Sequence, residues 1–311
     1  MKNPAITNLY GEPASNIASS NDFIAFPMGS KYREISSRIA TDYSSAIQLL
    51  ESLPVFLSGD EHKERRKSMA VVYAQTRKLQ EKAIDQVVNE VAQSIEHRHG
   101  AFNLIDELST PLWTALRNVI CTESREVKDL ASELPELFYP GLSPRRRKRL
   151  NNKLTNILKS GNDQLLNQIA LLTLGVRPFS ASLALSIHKI ARDNDGKRLC
   201  DIVFPTSFPD SALTYVDRIS LRDTVIDGCP FSAGSRIRCT TFDSSYTDEI
   251  NSKQLYGIGS HTCLGRPISV YTWNRLSNIL SQSQKTIHPS VLSVEDREPF
   301  TIPTKCLVNF K

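Results

Sequence analysis

Apolar residues recur with helical spacing along most of the first two thirds of the chain. Apolar side chains repeated at i, i+3, i+4 and i+7 predict amphipathic helices. Pro54, the turn before Gly100 and the proline-containing segment 140–144 interrupt the pattern. The predicted helices therefore cover residues 36–51, 59–99, 104–121 and 144–190.

The pattern changes from residue 204 to residue 239, where short β-like runs alternate with Gly, Pro and Asp. A last helical pattern covers residues 264–281. No internal repeat or low-complexity linker interrupts the sequence. We therefore predict a mainly α fold with a small β region, in one domain over residues 1–311, with a poorly defined N-terminal extension over residues 1–35.

Composition and charge are those of an ordinary globular protein. The chain has 311 residues, 40% of them hydrophobic, which is enough for a large buried core. The 38 Lys and Arg exceed the 33 Asp and Glu by only +5. The densest basic run, Arg145 to Arg149, follows a proline-containing loop and is better explained as a solvated helix start than as a nucleic-acid site.

The six cysteines form neither a CxxC pair nor a cluster, so neither a disulfide framework nor a zinc ribbon is predicted. Reduced thiols fit a cytoplasmic protein. The first twenty residues are polar, and no apolar run of about 18 residues occurs, which argues against export and membrane insertion.

One glycine-rich segment, Tyr256 to Pro267, combines residue types that carry chemistry. Glycines let the backbone pass close to a flat cofactor. A cysteine between such a loop and a helix start is favoured as a thiolate, the form that binds iron. The alternatives are that Cys263 is a structural cysteine, or that it forms half of a zinc site with His261, although no second Cys/His pair is available to complete that site.

This segment resembles the heme-binding signature of the cytochrome P-450 superfamily, Phe-x-x-Gly-x-x-x-Cys-x-Gly, with Tyr in place of Phe. The resemblance implies heme b as the cofactor and Cys263 as the axial iron ligand. The matching positions are Tyr256, Gly257, Gly259, His261, Cys263 and Gly265.

Two further segments resemble the parts of that family that hold the heme propionates. His62 and Arg66 have the His-x-x-x-Arg spacing that places both on one helix face. Arg218 lies in the β-like region, where the family has an arginine against a propionate. Without the resemblance, an isolated His-x-x-x-Arg in a charged helix is most often surface.

The chain departs from the family in three respects. It has a curtailed N-terminal β region, and the stretch between Arg218 and Cys263 is compressed. The Glu-x-x-Arg pair of the family's K helix is missing, because its places fall near Leu199 and Ile202. We therefore expect a cytochrome P-450-like fold that is reduced at the N-terminus and before the heme loop.

The stretch from Asn167 to Ile190 resembles the family's long central helix over the heme. Arg177 and Pro178 stand where oxygen-activating members have an acid and a threonine, and Pro178 should kink the helix by freeing the carbonyl of Leu174. Arg-Pro here is similar to the fatty-acid peroxygenase branch, where the arginine binds the substrate carboxylate. Alternatively, Arg177 reaches solvent or pairs with an internal acid.

Ser180 and Ser182 are nearby candidates for a catalytic hydroxyl, although neither lies at the family's usual place.

These resemblances imply a heme-thiolate oxidoreductase that hydroxylates, desaturates or decarboxylates a small carboxylate-bearing substrate, with hydrogen peroxide as a candidate oxidant. The alternatives are a dioxygen-dependent monooxygenase with a ferredoxin or reductase partner, a heme-thiolate dehydratase or isomerase, and a truncated heme-binding relative without turnover. Neither nucleic acid nor a membrane is an expected partner.

Overall fold

We describe a computed structural model of the chain, which covers residues 6–123, 125–159, 163–241 and 255–311. Helices dominate these residues, which confirms the predicted mainly α class. In chain order they are α1 (Gly11–Ser19), α2 (Met28–Arg38), α3 (Ser44–Leu50), α4 (Gly59–His97), α5 (Thr110–Ile120), α6 (Arg125–Glu133), α7 (Pro144–Leu158), α8 (Asp163–Leu171), α9 (Arg177–Asp193) and α10 (Arg266–Leu280).

Nine strands form three small sheets in the described residues. The first sheet has the order β1-β7-β4-β2, the second β3-β9-β8, and the third pairs β5 with β6. The strands are β1 (Thr7–Leu9), β2 (Phe23–Ala25), β3 (Gly100–Asn103), β4 (Tyr215–Ser220), β5 (Thr224–Ile226), β6 (Cys229–Phe231), β7 (Arg236–Thr240), β8 (Ile287–Arg297) and β9 (Phe300–Phe310).

The N-terminal segment, which the sequence left without defined elements, forms part of the first sheet. Strand β1 pairs in parallel with β7, and β2 pairs antiparallel with β4. Helix α1 lies between these two strands in the chain, and Ala14 and Ile17 on it pack with Phe23, Ile237 and Cys239. The strands are short, three residues each, as expected for a curtailed N-terminal β region.

The predicted helix over residues 36–51 is wrong in one respect, because the structure splits it into α2 and α3. Ala40, between them, has a φ of 47°, a left-handed conformation that ends a right-handed helix. The single helix predicted over residues 144–190 is also wrong, because α7 ends at Leu158 and a second helical stretch begins at Asp163. The predictions over residues 59–99, 104–121 and 264–281 agree with the structure, and α4 is continuous over 39 residues. The basic run begins α7 as predicted, but it is not all solvated, because Arg146 pairs with Glu136 at 2.7 Å and Arg147 is 8% exposed.

The long apolar helix consists of α8, a π-helical turn over Leu172–Val176, and α9. Among the described residues, this is the one helix long and apolar enough to cross a bilayer, and 67% of its most apolar window is buried inside the protein. Burial of that extent is typical of a core helix.

The segment between α9 and β4 contains little regular secondary structure. Residues 194–214 contain a single 3₁₀ turn, Leu199–Asp201, and no longer helix. Leu199 and Ile202, at the places predicted for the Glu-x-x-Arg pair, are buried apolar side chains. The missing ion pair is therefore replaced by hydrophobic packing. The predicted compression before Cys263 falls partly on residues 242–254, which lie outside the described residues.

The described chain divides into two compact units, each built from three separate stretches. The first comprises residues 1–72, 123–174 and 214–263, and the second comprises residues 73–122, 175–213 and 264–311. The first contains the β1-β7-β4-β2 sheet. In the second, the fully buried Trp273 of α10 contacts Phe208 and donates to the carbonyl of Pro205 at 2.6 Å.

Candidate functional site

The glycine-rich loop closes on itself within the first unit. The backbone N–H of Cys263 donates to the carbonyl of Tyr256 at 2.6 Å, so the two ends of the loop meet. Gly257 has a φ of 72°, and a Cβ there would lie 2.8 Å from the carbonyl oxygen of His261. Gly257 is therefore required both by its backbone conformation and by this close approach.

Cys263 lies at the end of this loop with its thiol exposed. It precedes the first residue of α10, Arg266, by three positions, and Gly265 is the residue immediately before that helix. The sequence prediction of a cysteine between loop and helix start agrees with this placement, although Cys263 itself is outside the first helical turn.

Two histidines from distant parts of the sequence lie side by side in the same unit. His62, in the first turn of α4, is 2% exposed, and its ring centroid is 4.2 Å from that of His261 in the loop. The Nε2 atom of His62 is buried and has no hydrogen-bond partner among the described residues. A buried nitrogen of this kind costs free energy unless a ligand or water satisfies it.

Arg218 extends from the apolar side of the β1-β7-β4-β2 sheet. Its strand neighbours on that side are Ile237 and Cys239, and it is 4% exposed. It donates to the carbonyl of Asp217 at 3.1 Å, but the Asp217 carboxylate pairs with Arg236 and Arg238 instead. Within the described residues, Arg218 forms no ion pair. A buried guanidinium without an anion is costly, so this position fits a ligand carboxylate.

The electrostatics of the cluster formed by His62, Arg66, Arg218 and His261 keep both histidines neutral. Burial lowers the pKa of His261 to about 3, and the charge of Arg218, then His62, then Arg66 adds to the effect. Burial likewise lowers the pKa of His62, with further contributions from Arg66 and Arg218. Neutral imidazoles and two guanidiniums form a donor-rich, positively charged site for an anion.

Burial also lowers the pKa of Arg218, an effect that Cys239 and Asp217 oppose.

These residues fit the carboxylates of a heme better than a metal ion bound directly by the protein. No group of three His, Cys, Asp or Glu suitable for a metal ion occurs among the described residues. An exposed thiol on a glycine loop matches an axial iron ligand, and the orphaned His62 nitrogen and the buried Arg218 match propionate-binding groups.

The π-helical turn over Leu172–Val176 directly precedes Arg177 and Pro178, which begin α9. A π turn widens the helix by one residue, and this accommodates a proline that cannot donate its backbone hydrogen bond. The predicted irregularity at Pro178 is therefore present, as a π turn. Arg177 is half-buried in the structure, whereas the sequence suggested a buried guanidinium.

The hydroxyls of Ser180 and Ser182, the candidates for a catalytic role, form hydrogen bonds within α9. Ser180 donates to the carbonyl of Arg177 at 3.1 Å, and Ser182 donates to that of Pro178 at 2.8 Å. Ser182 also accepts from the backbone N–H of Ala212 at 2.9 Å. Their hydroxyl protons are used in structural hydrogen bonds, so neither is a good candidate for proton relay.

The sequence reasoning missed the direct contact between the His62 and His261 rings and the long β8–β9 hairpin. The ring contact joins residues almost 200 positions apart, and no local pattern signals such a pairing.

Together the described features define a mainly α protein with a cysteine-terminated glycine loop and a nearby buried cationic site. No family profile matches the sequence, and no curated protein matches it either. Many solved structures share the fold, and they identify it as the cytochrome P-450 fold. The resemblance that the sequence suggested is thus confirmed at the level of the fold.

Three of these structures illustrate the similarity. P450BioI in complex with an acyl carrier protein carrying hexadec-9Z-enoic acid has a TM-score of 0.73 at 14% identity, covering 97% of this chain and 92% of that one. CalO2 has a TM-score of 0.72 at 12% identity, with 97% and 90% covered. CYP109B1 from Bacillus subtilis has a TM-score of 0.66 at 14% identity, with 97% and 92% covered.

Proposed function

We propose that the protein is a heme-thiolate oxidoreductase of the cytochrome P-450 type that oxidises a small carboxylate-bearing substrate. The observation that carries the proposal is the cluster of His62, Arg66, Arg218 and His261 in the same unit as the loop that ends at Cys263. Arg218 is a buried cation on an apolar sheet face, and Nε2 of His62 is a buried nitrogen without a hydrogen-bond partner among the described residues. Such groups are expected where a ligand supplies carboxylates.

Each residue of the cluster has a distinct role in this proposal. The Cys263 thiolate would bind the heme iron, and Arg218 and Arg66 would neutralise the propionates of heme b. The neutral His62 and His261 hold hydrogen bonds to the same carboxylates. Tyr256, Gly257, Gly259 and Gly265 set the shape of the loop. When bound, heme supplies the activation of an oxidant that no protein side chain provides.

Arg177 is the proposed substrate-binding residue. A planar guanidinium binds a carboxylate through two parallel hydrogen bonds, which fixes the orientation of the substrate as well as its position. Pro178 fixes the start of α9 and thereby the place from which Arg177 extends. Held in this way, the substrate carboxylate can pass a proton to or from the oxidant, a task for which α9 offers no acid at the family's usual place.

Hydrogen peroxide is the oxidant that agrees best with these residues. Insertion of one oxygen atom into a C–H bond by hydrogen peroxide yields the alcohol and water, and needs no external electrons. The protein would then act as a soluble cytoplasmic enzyme without a ferredoxin or reductase partner. A dioxygen-dependent enzyme would require such a partner and a protein-supplied proton relay, and Ser180 and Ser182 are poor candidates for that relay.

A truncated heme-binding relative without turnover is the second candidate. It is favoured by one observation, the replacement of the Glu-x-x-Arg pair by the buried side chains of Leu199 and Ile202. Heme uptake without oxidation of any carboxylic acid would support it.

The experiment that tests the proposal is the absorption spectrum of the heme-reconstituted protein after dithionite and carbon monoxide, beside the Cys263→Ser variant. We expect the red-shifted Soret band of a thiolate-ligated ferrous carbonyl heme, and its loss in the variant. The control is Cys229→Ser, which removes another exposed thiol and should leave the spectrum unchanged. Absence of heme uptake, or a spectrum that Cys263→Ser does not alter, would contradict the heme-thiolate assignment.

Peroxide-driven oxidation of medium-chain carboxylic acids would then be compared between the wild-type protein and Arg177→Ala. Loss of turnover on acids, with heme binding retained, is the expected result.

A further inference from the structure

Helix α9 and the β8–β9 hairpin pack together within the second unit and place Arg177 near the hairpin turn. Ala181 and Leu185, on one face of α9, pack with Ile302 of β9. Further along β9, the thiol of Cys306 contacts the carbonyl of Ala184. Strand β9 therefore lies along the part of α9 between Ala181 and Leu185. Arg177 lies one helical turn beyond Ala181, on the same face.

Two charged residues of β8 share a face of the hairpin with β9 residues near α9, and of the two Glu295 is exposed to solvent. Glu295 is the cross-strand partner of Ile302, and Arg297 is the partner of Phe300. Directly paired residues of an antiparallel ladder share one face of the sheet. The guanidinium of Arg297 donates to the carboxylate of Glu295 at 2.7 Å, which holds that carboxylate in place.

The charge of Arg177 is felt at Glu295. The hydrogen bond from Arg297 is the main cause that lowers the pKa of Glu295, desolvation opposes it, and the charge of Arg297 and then, least, that of Arg177 add to the lowering. Glu295 is therefore ionised at neutral pH. Asp296, the next residue, points to the other side of β8, where it accepts a hydrogen bond from Thr301 at 2.9 Å.

We infer that Glu295 is a specificity-determining residue: a built-in carboxylate that competes with the substrate carboxylate for the positive potential of Arg177. This inference rests on the proposed function and names the residue that limits how tightly acids bind. Arg297 acts as a positioning residue, because it holds the Glu295 carboxylate. Neutral substrates of the same length would not experience the competition.

The expected size of the effect follows from Coulomb's law. For an assumed separation of about 10 Å and an effective dielectric constant of about 40, a unit negative charge weakens the binding of a carboxylate by about three- to fivefold. Removing the charge of Glu295 should therefore tighten the binding of an acid by that factor.

The test measures by calorimetry the dissociation constants of decanoate and of 1-decanol for the heme-reconstituted protein. The variants are Glu295→Gln, Arg177→Ala, the double variant, and Asp296→Asn, a control that removes the same charge from the opposite side of the strand. Decanoate should bind about three- to fivefold more tightly to Glu295→Gln and within a factor of about two of wild type to Asp296→Asn. Decanol affinity should not change, and the gain should vanish in the double variant.

The outcomes separate this inference from the proposed function. If Arg177→Ala weakens decanoate binding while Glu295→Gln leaves it unchanged or weaker, the inference is wrong and the role of Arg177 stands. If Arg177→Ala does not affect decanoate binding, the proposed carboxylate recognition is wrong, and the inference falls with it. If Asp296→Asn tightens decanoate binding as much as Glu295→Gln does, the effect comes from net charge alone, and the inference is wrong.

Discussion

Replacing Arg218 by methionine should make the heme-free protein more stable and the heme complex weaker. Arg218 is 4% exposed on an apolar sheet face, and within the described part of the chain its guanidinium forms one hydrogen bond, to a backbone carbonyl. Methionine has a similar length and no charge, and it can pack against Ile237 and Cys239. The variant therefore removes the cost of burying a charge, together with the group that we propose binds a propionate.

The magnitudes follow from the burial and from the hydrogen bond. Replacing a buried, poorly paired ion by an apolar side chain of similar volume typically stabilises a protein by about 1–4 kcal/mol. Loss of the hydrogen bond to Asp217 offsets part of this, so we expect the free energy of unfolding of the heme-free protein to rise by about 1–3 kcal/mol. Loss of one charge-assisted hydrogen bond to heme, about 1.5–3 kcal/mol, should raise the heme dissociation constant about 10- to 100-fold.

Urea unfolding followed by circular dichroism measures the first quantity, and titration with hemin followed at the Soret band measures the second. Arg236→Met is the matched control. It makes the same change on the other side of the same sheet, where Arg236 pairs with Asp217 and lies over the ring of Phe26. The control should be slightly less stable than wild type and should bind heme normally.

A heme-free Arg218→Met protein that is less stable than the control, with unchanged heme affinity, would refute the reasoning. Arg218 would then be a structural residue with a partner of its own.

Three further predictions concern the loop and the titrating groups. In the heme-free protein a chromogenic disulfide reagent should react fastest with the exposed Cys263 and Cys229, and heme should protect Cys263 alone. Gly257→Ala should lower the free energy of unfolding by about 2 kcal/mol or more, because a positive φ adds to a close contact, and should impair heme uptake. His188→Gln should reduce the loss of stability in acid, measured by urea unfolding from pH 7 to pH 5.

The sign of the His188 prediction follows from its pKa, which burial, aided by Arg192, lowers below 6.5. The unfolded chain then binds the proton more readily, so the contribution of neutral His188 to stability is fully present above pH 6.5 and falls as the pH drops below it.

Gly234→Ala is the control for the loop, since its φ is also positive, at 79°, but a Cβ there meets nothing within 4 Å. Equal losses of stability in Gly257→Ala and Gly234→Ala would contradict the loop prediction. Equal protection of Cys263 and Cys229 by heme would contradict the thiol prediction. A His188→Gln variant that loses as much stability in acid as wild type would contradict the third.

The position of the loop before α10 could be predicted from the sequence because the signal lies within a dozen consecutive residues. Glycines, a histidine and a cysteine at fixed spacing constrain one another, and their meaning does not depend on distant parts of the chain. The long helices could be predicted for a similar reason, since α4 has no proline over its 39 residues and keeps a helical repeat.

The remaining features depend on tertiary pairing. Strand β8 is mostly exposed and lacks the alternation of buried and exposed residues that identifies a strand, so the hairpin had no local signal. The break between α2 and α3 occurs at Ala40, a non-glycine residue in the left-handed region of backbone conformation, and no sequence pattern predicts it. The hydrogen bonds from Ser180 and Ser182 to helix carbonyls likewise depend on side-chain rotamers, which the sequence does not specify.

The pairing of the first strands with β4 and β7 affects how the chain can be synthesised and folded. Thr7 is paired with Ile237, and Phe23 with Ser220, so roughly 200 more residues must be synthesised after each of these strands before its partner exists. At about 5–20 residues per second, that delay lasts tens of seconds or less. During this time the strand residues Phe23 and Ala25, which are buried in the finished sheet, are exposed, so a holding chaperone and slow translation should affect the yield of folded protein.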